Sequence, residues 1–350
     1  MIYLGDKTAG RDNNLNLIRA IAASAVLVSH AFPIALGPGA IQPMEQLFGH
    51  TLGTISVFAF FSISGFLIAS SFERSSSKTS FLTARFLRLY PALICSLLLV
   101  AFIIAPLVST LSASAYLGSS TPWLFMAKNT LLVSPMFVMP TVFETNPYTA
   151  IEGSIWTLFY EVLCYMGVFV AGVAGVLRNR LLASVALLIY FALWFGVEAS
   201  GLQLHPKLHS LLNLSLPFVI GSLFYLWQDR LPLHLAGFAA LGVLTWLAHN
   251  SAAYTLLFCI TLAYGVFWLA YIPGGLLKAY NRLGDYSYGI YIYAFPLQGL
   301  AVYLFGPQTP WQNMLYAFPA TLMLSVLSWH LIEDPALRMK SRVVGWLKPA

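Results

Sequence analysis

Charge is the scarcest feature of this chain. Only 9% of its 350 residues are Asp, Glu, Lys or Arg, against about 25% in a soluble domain. With 59% apolar residues and a mean hydropathy of +0.78, that shortage excludes a soluble globular fold and points to a polytopic membrane protein. Cysteine is nearly as rare. Cys95, Cys164 and Cys259 lie in apolar runs and form no CxxC pair, so neither a disulfide framework nor a thiolate metal site is encoded. The chain has no HExxH and no acidic cluster at ligand spacing, so no metal is expected. A Gly-rich phosphate loop and a G-x-S-x-G elbow are also missing, which removes P-loop chemistry and the α/β-hydrolase arrangement. No cleavable leader is expected, because the first apolar run is too long for a signal-peptide core.

What the chain has instead is long apolar runs. A helix needs about 20 apolar residues to cross a bilayer. Ten such runs are predicted, at roughly 15–36, 51–72, 87–108, 153–176, 181–199, 211–228, 233–249, 252–271, 286–305 and 312–333. The expected fold is an all-α integral membrane protein of about ten transmembrane helices. It forms one domain over residues 1–350, with no appended soluble domain. Residues 109–150 read as a long loop holding one short interfacial helix near 123–133. Aromatic residues, 15% of the chain, suit anchoring at the membrane interface.

The net charge of +6 reports orientation, not nucleic-acid binding. Lys7 and Arg11 precede the first span. Arg74, Lys78, Arg85 and Arg88 lie around the second connection, and Arg178, Arg180, Arg230, Lys278 and Arg282 follow later even-numbered spans. Arg338, Lys340, Arg342 and Lys348 follow the last. Ten spans put all of these on one side and leave only Lys128 and Lys207 on the other. The positive-inside rule then makes the crowded side cytoplasmic, with both termini there.

The first run carries two costly residues, Arg19 and His30. Eleven positions at 100° each bring them onto one helix face, about 20° out of register and roughly 16 Å apart along the axis. Arg19 falls at the cytoplasmic end and His30 in the outer half. Ionisable groups inside a span must face the bundle interior or a water-filled cavity, and they are functional candidates for that reason. Glu161, in the fourth run, falls at a depth close to that of His30, where a carboxylate could fix the tautomer of the ring and raise its basicity. Glu152, just before that run, reads as interfacial and solvated. Arg85 and Arg88, at i and i+3, face one way on a helix and suit bidentate phosphate binding. A Ser64–Gly65 pair reads as a close helix contact, with Ser62 or Ser64 alternatively lining a channel. His330 and Glu333 read as a tether at the end of the last helix. His50, His205, His209 and His249 fall in outer loops.

At these residues the chain resembles the membrane-bound acyltransferase 3 family. The R-x10-H element appears as Arg19 and His30. "SVFAFFSISGFLI" (Ser56–Ile68), "RFLRLYP" (Arg85–Pro91) and "GSIWTLFYEVLCY" with Trp156 and Glu161 match further elements. So do "LGDYSYGIYIYAFPLQ" (Leu283–Gln298) and "SWHLIEDPALRMK" (Ser328–Lys340). Six such stretches stand in the expected order. Two departures are present: Asn16 stands where relatives often have Asp, and Ala294 stands where many have His, with the Tyr291 and Tyr293 hydroxyls nearby in sequence.

The resemblance implies a multi-pass protein of the bacterial cytoplasmic (inner) membrane. It implies transfer of an acyl group, acetyl or succinyl, from cytoplasmic acetyl-CoA or another acyl-CoA. The acceptor would be a hydroxyl of a carbohydrate, such as a surface polysaccharide or lipid-linked glycan. His30 would act as general base, or first take the acyl group itself, with Glu161 and Arg19 assisting. Arg19, Arg85 and Arg88 would hold the CoA phosphates, and Ser62, Ser64, Trp156, Tyr291 and Tyr293 would line the acyl channel or acceptor site. The expected partners are the acyl-CoA donor, the glycan or glycolipid acceptor and membrane lipid, with no metal and no nucleic acid. A transporter moving a small solute or acyl group without chemistry would use the same buried residues, but no internal repeat of the kind common in transporters is present.

Overall fold

The structure is a computed structural model that describes residues 2–8, 10 and 12–347. Arg11 and Lys348, which the orientation argument counts, lie outside these. The main helices are α1 (Leu15–Leu36), α2 (Leu52–Arg74), α3 (Lys78–Val108), the loop helix α4 (Thr121–Leu131) and α5 (Trp156–Val173). They continue as α6 (Arg180–Ser200), α7 (Pro206–Leu226), α8 (Leu235–Leu247), α9 (Tyr254–Tyr271), α10 (Ser287–Phe305) and α11 (Pro310–Arg338). The described residues form no β-strand beyond isolated bridges. The chain is thus an all-α multi-pass membrane protein.

Nine of these helices are long and apolar enough to cross a membrane. The seventh expected run, at 233–249, is the exception. α8 has 13 residues, or about 20 Å of helix against a hydrocarbon core of about 30 Å. His234 caps its start by accepting the Gly237 amide. It returns along α9, tied by a Thr245–Thr261 hydroxyl bond of 2.7 Å and by the Tyr264 hydroxyl donating to the Pro232 carbonyl.

Local chemistry sets the helix ends. The Asn179 side chain accepts from the Leu182 amide to start α6, and Gly201, at a φ of 64°, closes it. Thr309 and Gln312 form a capping box ahead of α11, with Pro310 at its first position. α3 and α11 are interrupted by π-helical turns at Val100–Ile104 and Trp329–Glu333, wider turns often found at functional positions.

The chain divides into two compact units, each built from separated segments. In the first (Met1–Arg19, Val57–Phe81, Tyr160–Leu283), α2 and α7 touch backbone to backbone. A methyl group on Gly65 would stand 1.9 Å from the Phe218 carbonyl oxygen, and one on Gly221 would stand 2.0 Å from the Ser62 carbonyl oxygen. The Gly65 contact bears out the close-packing reading of "ISGF". Asn14 anchors the entry to α1 by donating to the Leu269 and Pro273 carbonyls. This unit also holds a cavity of about 430 Å³ with Glu73, Arg178, Arg180, Tyr225 and Asp229 in its walls. Tyr225 donates to Glu73 there, and Arg180 pairs with Asp229.

In the second unit (Ala20–Ser56, Leu82–Phe159, Gly284–Ala350), α10 is buried along most of its length. Gln298 donates to the Leu27 carbonyl and to Asn313, and Asn313 donates back to the Gln298 carbonyl. These bonds join α1, α10 and α11 and give Gln298 Nε2 and the Asn313 amide partners inside an apolar bundle.

Candidate active site

His30 lies on α1 and belongs to the second unit. Its ring is half-buried. Its Nδ1 is fully covered and has no hydrogen-bond partner among the described residues. The ring packs against Phe295 of α10 in a T-shaped contact, centroids 5.2 Å apart. One turn further along α1, Ile34 joins Ala150, Phe295 and Val302 in a buried cluster against which Phe137 and Tyr148 pack.

The segment 150–157 is brought to the same place by several bonds. The Ile151 and Glu152 amides both donate to the Phe137 carbonyl. The Tyr291 hydroxyl donates to the Ser154 carbonyl and shares a 2.6 Å bond with the Thr157 hydroxyl. Gly153 lies so close to Phe295 that a methyl group there would stand 2.3 Å from Cε2 of the ring.

This docking overturns the reading of Glu152 as a solvated interfacial residue. It is 0% exposed. Its Oε1 accepts from the Gly153 and Ser154 amides, each at 3.1 Å, while Oε2 is covered and has no partner among the described residues. Burial pushes its carboxyl up to about 8, against the pull of the backbone amides that favour the charged form. Sequence reasoning missed Glu152 because a loop glutamate beside glycine reads as exposed.

Arg88 is the centre of a buried charge cluster. Its two terminal nitrogens donate to Asp285 at 2.6 Å and Glu333 at 3.1 Å. Its guanidinium also lies near the Tyr288 and Trp329 rings. Glu333, carried on the π turn of α11, takes a further bond from Ser328. This bears out the tether reading of Glu333 and ties Arg88 to it. The arginine predicted for phosphate binding therefore commits both ends of its fork to carboxylates. Arg85, one turn before it on α3, is half-buried.

In the first unit, Arg19 is half-buried on α1, and Glu161 on α5 is held locally. Ser64 donates to Glu161 Oε1 at 3.3 Å, and Tyr165 donates to the same atom. Ser62 is fully buried, and its hydroxyl donates to the Phe58 carbonyl. In the second unit Trp156 is exposed, and Tyr291 and Tyr293 are buried. Of the loop histidines, His209 lies inside α7 rather than in a loop, because that helix starts at Pro206. His205 accepts the Lys207 amide at its start, and His249 packs on Tyr254.

The family model described as an acyltransferase domain matches residues 12–332. The chain is 29% identical over 348 residues to a Shigella phage Sf6 protein named O-acetyl transferase, covering 95% of this chain and 98% of that one. It is 27% identical over 374 residues to nodulation protein 10 of Rhizobium leguminosarum bv. viciae, covering 97% of each. A shorter match, 32% over 116 residues, is to the acyltransferase MdmB of Streptomyces mycarofaciens, across 33% of this chain and 27% of that protein. No solved structure matches.

Proposed function

Since the chain belongs to the acyltransferase 3 family, we propose that it is a membrane O-acyltransferase that moves an acetyl or similar acyl group from acyl-CoA to a hydroxyl of a carbohydrate. The end-to-end similarity to a protein named O-acetyl transferase supports an oxygen acceptor. The reading places the protein in the bacterial cytoplasmic membrane as a single acyltransferase domain. The donor is taken from the cytoplasmic side, where Arg85 grips its phosphates. Arginine suits this work because its planar fork bonds phosphate oxygens in pairs.

The observation that carries the chemistry is the state of His30: one nitrogen buried without a partner, the ring partly open. An imidazole with one open edge can accept a proton. In the transfer, the acceptor oxygen attacks the thioester carbonyl carbon. The new C–O bond forms and the C–S bond breaks. The hydroxyl proton passes to His30 and then to the departing CoA sulfur, so the histidine ends as it began. Arg88, bound to Asp285 and Glu333, holds α3 in place beneath Arg85.

Mass spectrometry of the surface glycans of a host with and without the protein tests this reading. An acyl mass on one sugar that disappears with the protein supports it. Identical glycan masses in both strains would count against it.

A further inference from the structure

Two buried polar atoms of the second unit have no partner among the described residues, and the residues that carry them meet at Phe295, His30 directly and Glu152 through its neighbour Gly153. One is His30 Nδ1 and the other is Glu152 Oε2. His30 packs on Phe295 at 5.2 Å between centroids, and Gly153, next to Glu152, packs on the same ring. Ile34, one turn from His30, and Ala150, two residues from Glu152, meet in one cluster with Phe295. Leaving two such atoms unsatisfied in an apolar surround is costly. A single buried water between them would satisfy both, since a site with polar partners on two sides is where such waters lodge.

We propose that Glu152 is the positioning carboxyl of His30, accepting the Nδ1 proton through one buried water and so leaving Nε2 to take the proton of the acceptor hydroxyl. The proposal rests on the acyl-transfer reading. It assigns to Glu152 the orienting task that sequence spacing suggested for Glu161, which is instead bonded to Ser64 and Tyr165. The backbone is built for it. The Gly153 and Ser154 amides hold one carboxyl oxygen and leave the other to bond elsewhere. The Tyr291–Ser154 bond holds that loop to α10.

The working form of the pair is ionised carboxyl with neutral imidazole. The titratable side chains that meet Phe295 or the Glu152 loop are His30 from α1, Tyr148 from the same loop and Tyr291 from α10, and Glu152 Oε2 has no partner among the described residues. Because burial raises the carboxyl to about 8, transfer should climb with pH through that region. This limb belongs to the pair and not to either group alone.

The test uses the full-length protein in membrane vesicles. Two quantities are read: acyl transfer from labelled acetyl-CoA, and the rate at which diethyl pyrocarbonate modifies His30, followed by mass spectrometry. In E152Q, kcat should fall at least about tenfold, with KM for acetyl-CoA within twofold. The rise with pH should vanish, and His30 modification should slow several-fold. E152D should lie between E152Q and the wild type. Wild-type kcat and His30 reactivity in E152Q would overturn the proposal. Should E152Q fail to accumulate, E152D decides: several-fold slower modification sustains the pairing and an unchanged rate overturns it. If the wild-type protein transfers no acyl group, the functional reading fails, and the His30 modification rates still decide the pairing.

Discussion

His30 and Phe295 meet almost at right angles, with ring planes at 78° and centroids 5.2 Å apart. The aromatic ring closes off one side of the imidazole and receives Gly153 from the loop on another. The position of His30 therefore depends on a residue that carries no chemistry of its own.

Gly153→Ala tests that dependence. The added methyl would stand 2.3 Å from Cε2 and 2.5 Å from Cζ of Phe295, so the ring against His30 must shift. Acyl transfer should fall by about tenfold, as a misplaced catalytic group costs, while the protein still inserts and accumulates. Wild-type turnover in this variant would show that the Phe295 contact does not position the base.

Arg88→Ala should act on folding. It leaves Asp285 and Glu333 buried without their cation, a loss of about 3–5 kcal/mol. A melting curve in detergent should show a large drop or no folded protein, and Arg88→Lys should recover part of it. A phosphate-binding role alone would leave the melting temperature of Arg88→Ala unchanged and raise only KM for acyl-CoA.

Gly65→Ala and Gly221→Ala attack the α2–α7 contact, where a methyl would stand 1.9 Å and 2.0 Å from opposing carbonyl oxygens. Backbone cannot turn aside as a side chain can, so each should destabilise by about 1–3 kcal/mol or more. Gly196→Ala, where nothing lies within 4 Å of the added carbon, is the control and should melt as the wild type does.

Glu152 also sets a pH dependence of stability. Its carboxyl holds a proton up to about 8 in the folded protein and releases it near the ordinary 4.5 when unfolded. Between those values the folded state binds more protons, so stability is greatest below about 4.5 and falls as pH rises to 8. The upper limit on the loss is about 1.4 kcal/mol per pH unit in that window. Melting temperatures of wild type and E152Q between pH 5 and 8 should converge as pH falls only if the glutamine supplies an equal hydrogen bond. The wild type should decline more steeply than E152Q, and parallel curves would contradict this.

The transmembrane helices were legible because apolar length is written in composition, as α1 and α10 show. α3 starts at Lys78 rather than near residue 87 because the charged turn around Arg85 is still helix, which hydropathy alone cannot register. α8 misled for the opposite reason, being apolar enough but only 13 residues long. The π turns at Val100–Ile104 and Trp329–Glu333 have no side-chain signature. In the candidate site, the Arg19–His30 spacing could be read from helical periodicity. The partners of Arg88, separated from it by 197 and 245 positions, could not. Nor could the burial of Glu152, which exists only once its loop has docked on Phe295.

The central claim is that His30 takes the proton of an acceptor hydroxyl during acyl transfer. Its most direct test is to supply labelled acetyl-CoA to the cytoplasmic side of vesicles holding either the wild-type protein or His30→Ala, and to follow label into glycan. The account predicts label on glycan with the wild type and none above background with His30→Ala, at equal amounts of folded protein. Equal labelling by the two proteins would contradict it.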